Sequence, residues 1–464
     1  SMLALVLLSV SVLLLASMLF VVVVKREFGC GEGGCLLIVC CLRRSRAWLD
    51  VYLFGLAAWL IDALLHAALG KVLHQVEMER KNKSNYVPSN ILVTGGAGFI
   101  GSHVVRKLLE KYPNAKVVVF DNLSYCASMK NLDSEAANPR VKFVLGSITS
   151  SDLVLYVLEK EGIDCIVHCA AETHVDNSFG NSFAFTQTNV FGTHVLLEAA
   201  KRMMPQITRF IHVSTDEVYG ESTGDDCFKE ASVLEPTNPY AASKAAAEFL
   251  VKAYHRSFNL PVVITRGNNV YGPNQYPEKL IPKFVHQMMR DLPLTVHGDG
   301  STCRNLLYVT DVADAFLCIL EGAHPGEVIN IGGEHEHTVL DIGEKILELF
   351  GRSEEKEKYI KFVDDRKFND TRYNINNAKL LELGWKQRVD FTTGLATTVE
   401  WYKNNQMHWG SIEHALTAHP RLHGDWGTHD PPTPGLPSSN GAVSFPSAFN
   451  IPSPRRSPPY SPKG

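Results

Sequence analysis

TGGAGFIG, residues 94–101, follows the apolar run ILVT (91–94) and leads into the amphipathic stretch SHVVRKLLEKY (102–112). Gly95, Gly98 and Gly101 stand three apart. The first glycine allows a tight turn, the second lets backbone approach a pyrophosphate, and the third lets helix and strand pack without an intervening Cβ. A helix beginning here aims free N–H groups and the positive end of its dipole at phosphate oxygens. Asp121 ends the next apolar run, VVVF (117–120), where an acid meets the hydroxyls of an adenosine ribose. An acid there disfavours a 2′-phosphate, so the pattern reads as a dinucleotide site with NAD preferred over NADP.

Outward from this loop the same alternation continues. VKFVL (141–145), CIVHC (165–169), RFIHVS (209–214) and PVVIT (261–265) read as buried strands, and AASKAAAEFLVKAYHRSF (241–258) as a helix between two of them. Apolar strands separated by amphipathic helices imply a parallel sheet covered on both faces. The expected fold class is α/β, a Rossmann-type doubly wound parallel sheet with a smaller C-terminal α/β substrate-binding region. The expected organisation is a hydrophobic N-terminal extension over 1–88, a catalytic domain over 89–418, and a disordered tail over 419–464. Within the domain, the core covers about 89–265 and the substrate region mostly 266–418. The tail is rich in Pro, Ser and Gly, as in PPTPGLPSSNG, and has no hydrophobic period.

Composition gives no case for nucleic acid as a partner: the chain has 464 residues, is 20% charged and carries a formal net charge of −4. The body cysteines have no metal-ligand spacing and read as reduced, mostly buried thiols; no metal is expected. Residues 2–24 form an uncharged apolar run long enough to cross a bilayer, with Lys25 and Arg26 directly after it. It reads as a membrane contact or anchor placing the catalytic domain on the cytoplasmic side. A second apolar stretch, 47–70, contains Asp50, Asp62 and His66, which make a span costly, and the orientation turns on it.

VSTDEVYG (213–220) sets two acids, Asp216 and Glu217, side by side where a buried strand ends. Either this is an acidic capping turn, or both carboxylates act on something docked there. YAASK (240–244) opens a helix downstream and puts Tyr240 and Lys244 on one face. A lysine ammonium near a phenol favours phenolate, and such a tyrosine is a base for a sugar hydroxyl. Adjacent carboxylates in a partly desolvated site push their pKa values apart, leaving one acid charged and one protonated.

With these motifs together, the chain resembles the extended short-chain dehydrogenase/reductase family, closest to its dTDP-glucose 4,6-dehydratase group. The resemblance covers nearly all of 89–415 and is carried by TGGAGFIGSH, HCAAETHVDNS, TNVFGTHVLLEAA, VSTDEVYG, NPYAASKAAAE, NVYGPNQYPEKLIPKF and DTRYNI. It implies conversion of a nucleoside-diphosphate glucose, dTDP-glucose or UDP-glucose, to a 4-keto-6-deoxy product plus water, with NAD as recycled hydride carrier. By that likeness Tyr240 is the base at the 4-hydroxyl, Glu217 the base at C5, Asp216 the acid for the departing 6-hydroxyl, and Thr215 a partner of the 4-oxygen. The likeness places cofactor contacts at Gly95, Gly98, Phe99, Ile100, Gly101, Asp121, Asn122, Leu123, Ser124, Ser147, Ile148, Ala170, Ala171, Thr173, Thr188, Tyr240 and Lys244. It places substrate contacts at His174, Thr215, Asn269, Lys279, Leu280 and Arg304, with the Arg304 guanidinium on the diphosphate. Asn189 is read as securing backbone.

The chain departs from the family pattern at Ser147, where many relatives have an acid beside adenine. It departs again at Arg304-Asn305-Leu306, for Arg-Asp-Trp, and at residues 367–369, for Pro-Gly-His. These leave dTDP against UDP open. FGTHVLLEAAKRM and the helix at Tyr240 match the helices through which relatives dimerise, so a homodimer is implied. The competing readings are a sugar-nucleotide 4-epimerase or decarboxylase on the same scaffold, and a non-catalytic NAD-binding scaffold.

Overall fold

The computed structural model describes Gly70 and residues 86–222, 227–365, 370 and 372–417. The apolar runs 2–24 and 47–69, the tail from 419 and the 367–369 departure lie outside the described residues. The chain separates into two compact units, Ser1–Tyr86 and Val87–Gly464. All elements named here belong to the second.

Seven parallel strands form the main sheet: β1 (Asn90–Thr94), β2 (Lys116–Asp121), β3 (Val141–Leu145), β4 (Cys165–His168), β5 (Arg209–Thr215), β6 (Val262–Gly267) and β10 (Val328–Ile331), in the order β10-β6-β5-β4-β1-β2-β3. The chain starts in the middle, winds to one edge through β2 and β3, then returns beside β1 and winds the other way. This is the Rossmann-type sheet, with its topological switch between β1 and β4, where ligands dock beyond the strand ends. Ile91, Leu92 and Val93 are buried, as are Val117–Phe120, because helices cover both faces.

Two helices position the site. α1 (Phe99–Lys111) begins at Gly98 with no side-chain cap, so its first N–H groups remain available to a ligand. α4 (Pro239–Phe258) is capped by Asn238, whose side chain accepts from the Ala241 N–H, and opens on Pro239. Between them lie α2 (Ser151–Glu161) and α3 (Thr193–Arg202).

β10 comes from a segment that sequence reading assigned to the substrate region, yet it pairs with β6 from Val328↔Ile264 to Ile331↔Gly267. The remaining C-terminal elements build a second core. α5 (Leu280–Met289), α7 (Val339–Leu349) and α8 (Phe391–Asn404) pack Phe284, Ile342, Ile346, Leu395 and Tyr402 against β8 (Leu294–His297) and β9 (Cys303–Tyr308). β7 (Asn269–Tyr271) runs parallel to β9, with β11 (Glu336–Thr338) on its other side, and β12 (Ile360–Val363) pairs with β8. α6 (Val309–Gly322) lies between β9 and β10 in the chain. Among the described residues no helix is long and apolar enough to cross a membrane. The expectation of mostly buried thiols fails in part: Cys165 is buried, Cys227 is exposed, and the other body cysteines lie between.

Candidate active site

The glycine loop folds as the spacing requires. Gly95 has φ +68° and donates its N–H to the Phe120 carbonyl at 2.8 Å. A Cβ there would stand 2.7 Å from the Ala170 nitrogen. A Cβ on Gly101 would meet the Gly95 carbonyl oxygen at 2.2 Å, so this glycine is needed by the loop curling over its own helix. Asp121 is buried and fixes the loop: Oδ2 accepts from the Ala97 N–H at 3.0 Å and Oδ1 from Leu123 at 2.8 Å. Burial pushes its carboxyl upward, and these backbone donors work against that.

The loop forms one end of a cavity of about 290 Å³. Gly95, Gly98, Phe99, Ile100, Gly101, Asp121, Asn122, Ser124, Ser147, Ile148, Ala170, Ala171, Thr173 and Thr188 line it. So do Thr215, Glu217, Tyr240, Lys244, Asn269 and Lys279, which puts the glycine cradle and the tyrosine helix on one space. Asn189 braces the wall, exchanging hydrogen bonds with the Glu172 backbone at 2.8 and 3.0 Å and donating to Ser243 at 2.9 Å. The uncapped helix start, the glycines that a Cβ would block and the buried acid at the end of β2 fit a dinucleotide.

The acid pair divides in space. Thr215 ends β5 and caps the tight turn Asp216–Tyr219, its Oγ1 accepting from the Glu217 N–H at 3.3 Å. The same hydroxyl stands 3.0 Å from Asp216 Oδ1, and Asn268 Nδ2 donates to Asp216 Oδ2 at 2.6 Å. Asp216 is therefore 2% exposed, behind Thr215, whereas Glu217 lines the cavity and accepts from Asn238 Nδ2 at 3.1 Å. Burial, then the charge of Glu217, push Asp216 up to about 7. Glu217 also moves up, by burial, against Asn238, Lys279 and Arg304. The expected repulsion is present, in the push of Glu217 on Asp216, and loss of water around both acids is the larger effect.

The Tyr240 phenol is not lowered as the helical spacing led one to expect. Burial and then Glu217 hold its phenol above the ordinary tyrosine value, while a hydrogen bond from Thr215 works the other way. Lys244 supplies no lowering: its Nζ donates to the Val213 carbonyl at 2.6 Å, and burial brings the ammonium down to about 8.

Leu123, His174, Leu280 and Arg304 lie outside the cavity lining. Leu123 occupies the left-handed region at φ 52° and belongs to the Asp121 turn. His174 is buried, 3.8 Å from Glu278 and 4.0 Å from Asp176. Leu280 starts α5 and packs on the C-terminal core. Arg304 donates to the carbonyls of Cys303 at 2.8 Å and Asp370 at 3.1 Å, with its guanidinium 5.5 Å from the Tyr373 ring centre. Its positive charge still draws both acids downward. Leu306, one of the departures, is buried in the C-terminal core.

Sequence reading missed Asn238 and Asn268, the two amides that orient the acids. Asn238 had a signal: Asn before Pro at a helix start is a cap. Asn268 had none, because its partner is 52 residues away. Among the described residues no three His, Cys, Asp or Glu side chains are grouped to hold a metal ion.

Residues 92–398 match the family described as GDP-mannose 4,6 dehydratase. A trifunctional UDP-glucose 4,6-dehydratase/UDP-4-keto-6-deoxy-D-glucose 3,5-epimerase/UDP-4-keto-L-rhamnose-reductase of Arabidopsis thaliana is 54% identical over 341 residues, 73% of this chain and 51% of its own. The chain thus spans about half the length of that relative. The dTDP-D-glucose 4,6-dehydratase of Homo sapiens is 46% identical over 333 residues, covering 71% of this chain and 94% of its own. A dTDP-glucose 4,6-dehydratase of Streptomyces venezuelae, solved with NAD bound, superimposes with a TM-score of 0.66 at 43% identity, over 69% of this chain and 99% of that one. A UDP-glucose 4-epimerase of Thermotoga maritima, solved with UDP-glucose, gives 0.63 at 32% identity, over 68% and 99%.

Proposed function

This chain belongs to the GDP-mannose 4,6 dehydratase family of extended short-chain dehydrogenases/reductases, and from that premise we propose that it is an NAD-dependent nucleoside-diphosphate-glucose 4,6-dehydratase, a hydro-lyase. The observation that carries the reading is one cavity shared by the glycine loop and by Thr215, Glu217, Tyr240 and Lys244. The relatives' names support uridine or thymidine diphosphate as the nucleotide.

NAD, when bound, supplies reversible acceptance of two electrons and a hydrogen from the sugar. The glycine loop and the start of α1 would hold its pyrophosphate, and Asp121 its ribose. Tyr240 is read as the base at the sugar 4-hydroxyl, which Thr215 also faces; it acts as phenolate, and the positive charge of a bound nicotinamide would offset the burial that otherwise holds its phenol up. A ketone at C4 acidifies the C5 hydrogen, and Glu217, held open to the cavity by Asn238, removes it. Asp216, whose carboxyl burial pushes up to about 7, does not itself line the cavity; its proton would reach the departing 6-hydroxyl through the Thr215 hydroxyl, 3.0 Å from Asp216 Oδ1, which takes the acid's proton as it gives up its own. Lys244 is anchored on β5 through the Val213 carbonyl and lines the same cavity, where its ammonium would contribute positive charge to a bound cofactor. Lys279, which lines the cavity, is the cation best placed for the diphosphate.

The test is the product. Incubation with UDP-glucose or dTDP-glucose yields a 4-keto-6-deoxy sugar nucleotide; an epimer or released carbon dioxide would overturn the reading in favour of a sister activity.

The chain works as a homodimer. Ala242, Ala246, Phe249 and Ala253 recur at helical spacing as an exposed apolar stripe on α4, with Phe191 and Phe258 exposed nearby. Phe249 is 61% exposed, a large apolar surface that a second copy would cover. Sedimentation of Phe249→Asp as a monomer, against a wild-type dimer, checks this. Residues 2–24 would tether the domain to a membrane, and recovery of the full chain in the alkaline-soluble fraction contradicts that.

A further inference from the structure

We infer that the segment 407–417, beyond the family-matched residues 92–398, is a working part of the dinucleotide site, and that His408 positions the glycine loop. This rests on the NAD reading above. Asn131 is 1% exposed and sits between the two parts. Its Nδ2 donates to the Ala97 carbonyl at 2.8 Å, inside the glycine loop, and its Oδ1 lies 2.7 Å from His408 Nε2. Because the amide nitrogen is committed to Ala97, Oδ1 is the acceptor and His408 carries its hydrogen on Nε2. Ala97 in turn donates its N–H to Asp121 Oδ2 at 3.0 Å. One line of hydrogen bonds therefore runs from the segment 407–417 through the glycine loop to the acid at the end of β2.

The segment is itself held firmly. The His408 ring lies edge-on between Trp401, at 5.0 Å, and Trp409, at 5.1 Å. Trp409 packs edge-on against Tyr276 at 5.1 Å, and Tyr276 lines the cavity. Lys130, beside Asn131, donates to the Met407 carbonyl at 2.9 Å. Burial keeps His408 neutral at physiological pH, pushing it down to about 4, so the Nε2 hydrogen is the one that matters.

A loop with glycines at 95, 96 and 98 has much conformational freedom to lose when it closes on a pyrophosphate. A brace that already orders Ala97 lowers that loss and strengthens binding. The effect should fall on NAD and spare the sugar nucleotide, because the hydrogen bonds from His408 end on Ala97 and Asp121 and not on Glu217 or Lys279.

The experiment uses the full chain and compares wild type, His408→Phe and His408→Gln. Calorimetric titrations with NAD and with UDP-glucose are read alongside thermal melting. His408→Phe keeps a flat ring but loses the donor; it is expected to weaken NAD about tenfold and UDP-glucose less than about twofold. His408→Gln keeps an N–H and is expected to restore most of the NAD affinity. If the phenylalanine variant does not fold, His408→Ala carries the same expectation without added bulk. Equal NAD affinity in wild type and His408→Phe, or His408→Ala in its place, overturns the inference, as does an equal loss for both ligands or a glutamine variant that binds NAD no better than the phenylalanine one. A wild-type chain that binds no NAD at all would instead sink the reading on which the inference rests, and the inference with it.

Discussion

Asn238 holds Glu217 and the start of α4 with one amide: its Nδ2 donates to Glu217 Oε2 at 3.1 Å, and its Oδ1 accepts from the Ala241 N–H at 2.8 Å. The base of the elimination is thereby registered to the helix that carries Tyr240. Asn238→Ala should cost about 1 kcal/mol of stability through the lost cap and lower kcat further through a freed Glu217. Asn238→Asp should keep the cap and most of the stability. It should still impair turnover, because a carboxylate cannot donate to Glu217. Denaturant unfolding and steady-state kinetics on both variants separate the two contributions.

Asp216 gives a pH dependence of known sign. Its pKa stands at about 7 in the fold against an ordinary 3.8, so the fold favours its protonated form. As a proton donor it is competent below about pH 7, and the rate of water elimination should fall as pH rises through that value. The linked stability is fully present below pH 3.8 and is lost as pH rises through about 7. Asp216→Asn should therefore melt higher relative to wild type at pH 8 than at pH 5, while losing dehydration at both. A melting difference independent of pH would contradict the burial argument.

Gly101→Ala puts a Cβ 2.2 Å from the Gly95 carbonyl oxygen, and the atoms it meets are backbone, which cannot swing aside as a flexible side chain could. The loop must shift, so NAD affinity should fall by at least about tenfold, with a lower melting temperature. Titration of the purified variant with NAD checks it; wild-type affinity would mean that the loop is more yielding than its packing implies.

Arg266 and Glu248 form a buried ion pair between β6 and α4, with Nη2 2.6 Å from Oε2, and Arg266 Nη1 also donates to the Tyr219 hydroxyl at 2.7 Å. Arg266→Met alone leaves a buried carboxylate without its guanidinium and should cost about 3–5 kcal/mol. Pairing it with Glu248→Leu should recover much of that loss. Unfolding of the single and double variants measures the coupling, and additive losses would contradict it.

How much of this was legible in the sequence follows from the range of each interaction. β1 to β6 are short, mostly apolar runs, broken in β3 by Lys142 and in β5 by His212, and each formed where its residues pointed. β10 is four residues, VINI, too short to carry a period, and only its register with β6 makes it a sheet strand. The acids were legible as residues but not as geometry. In a turn with about three residues per revolution, successive side chains point about 120° apart. Glu217 therefore faces the cavity while Asp216 turns behind Thr215. Lys244 was legible as a neighbour of Tyr240 by helical spacing, but the Val213 carbonyl that takes its ammonium comes from another element. Asn268 and Asn131 act across long loops and left no local trace.

The most direct test of the whole account is the hydrogen at C5. Wild type and Glu217→Gln are incubated with UDP-glucose in deuterated water, and the sugar nucleotides are analysed by NMR and mass spectrometry. The account predicts a 4-keto-6-deoxy product from wild type with deuterium at C5, and no dehydrated product from Glu217→Gln. Wild-type product retaining its original C5 hydrogen, or full dehydration by the variant, would contradict it.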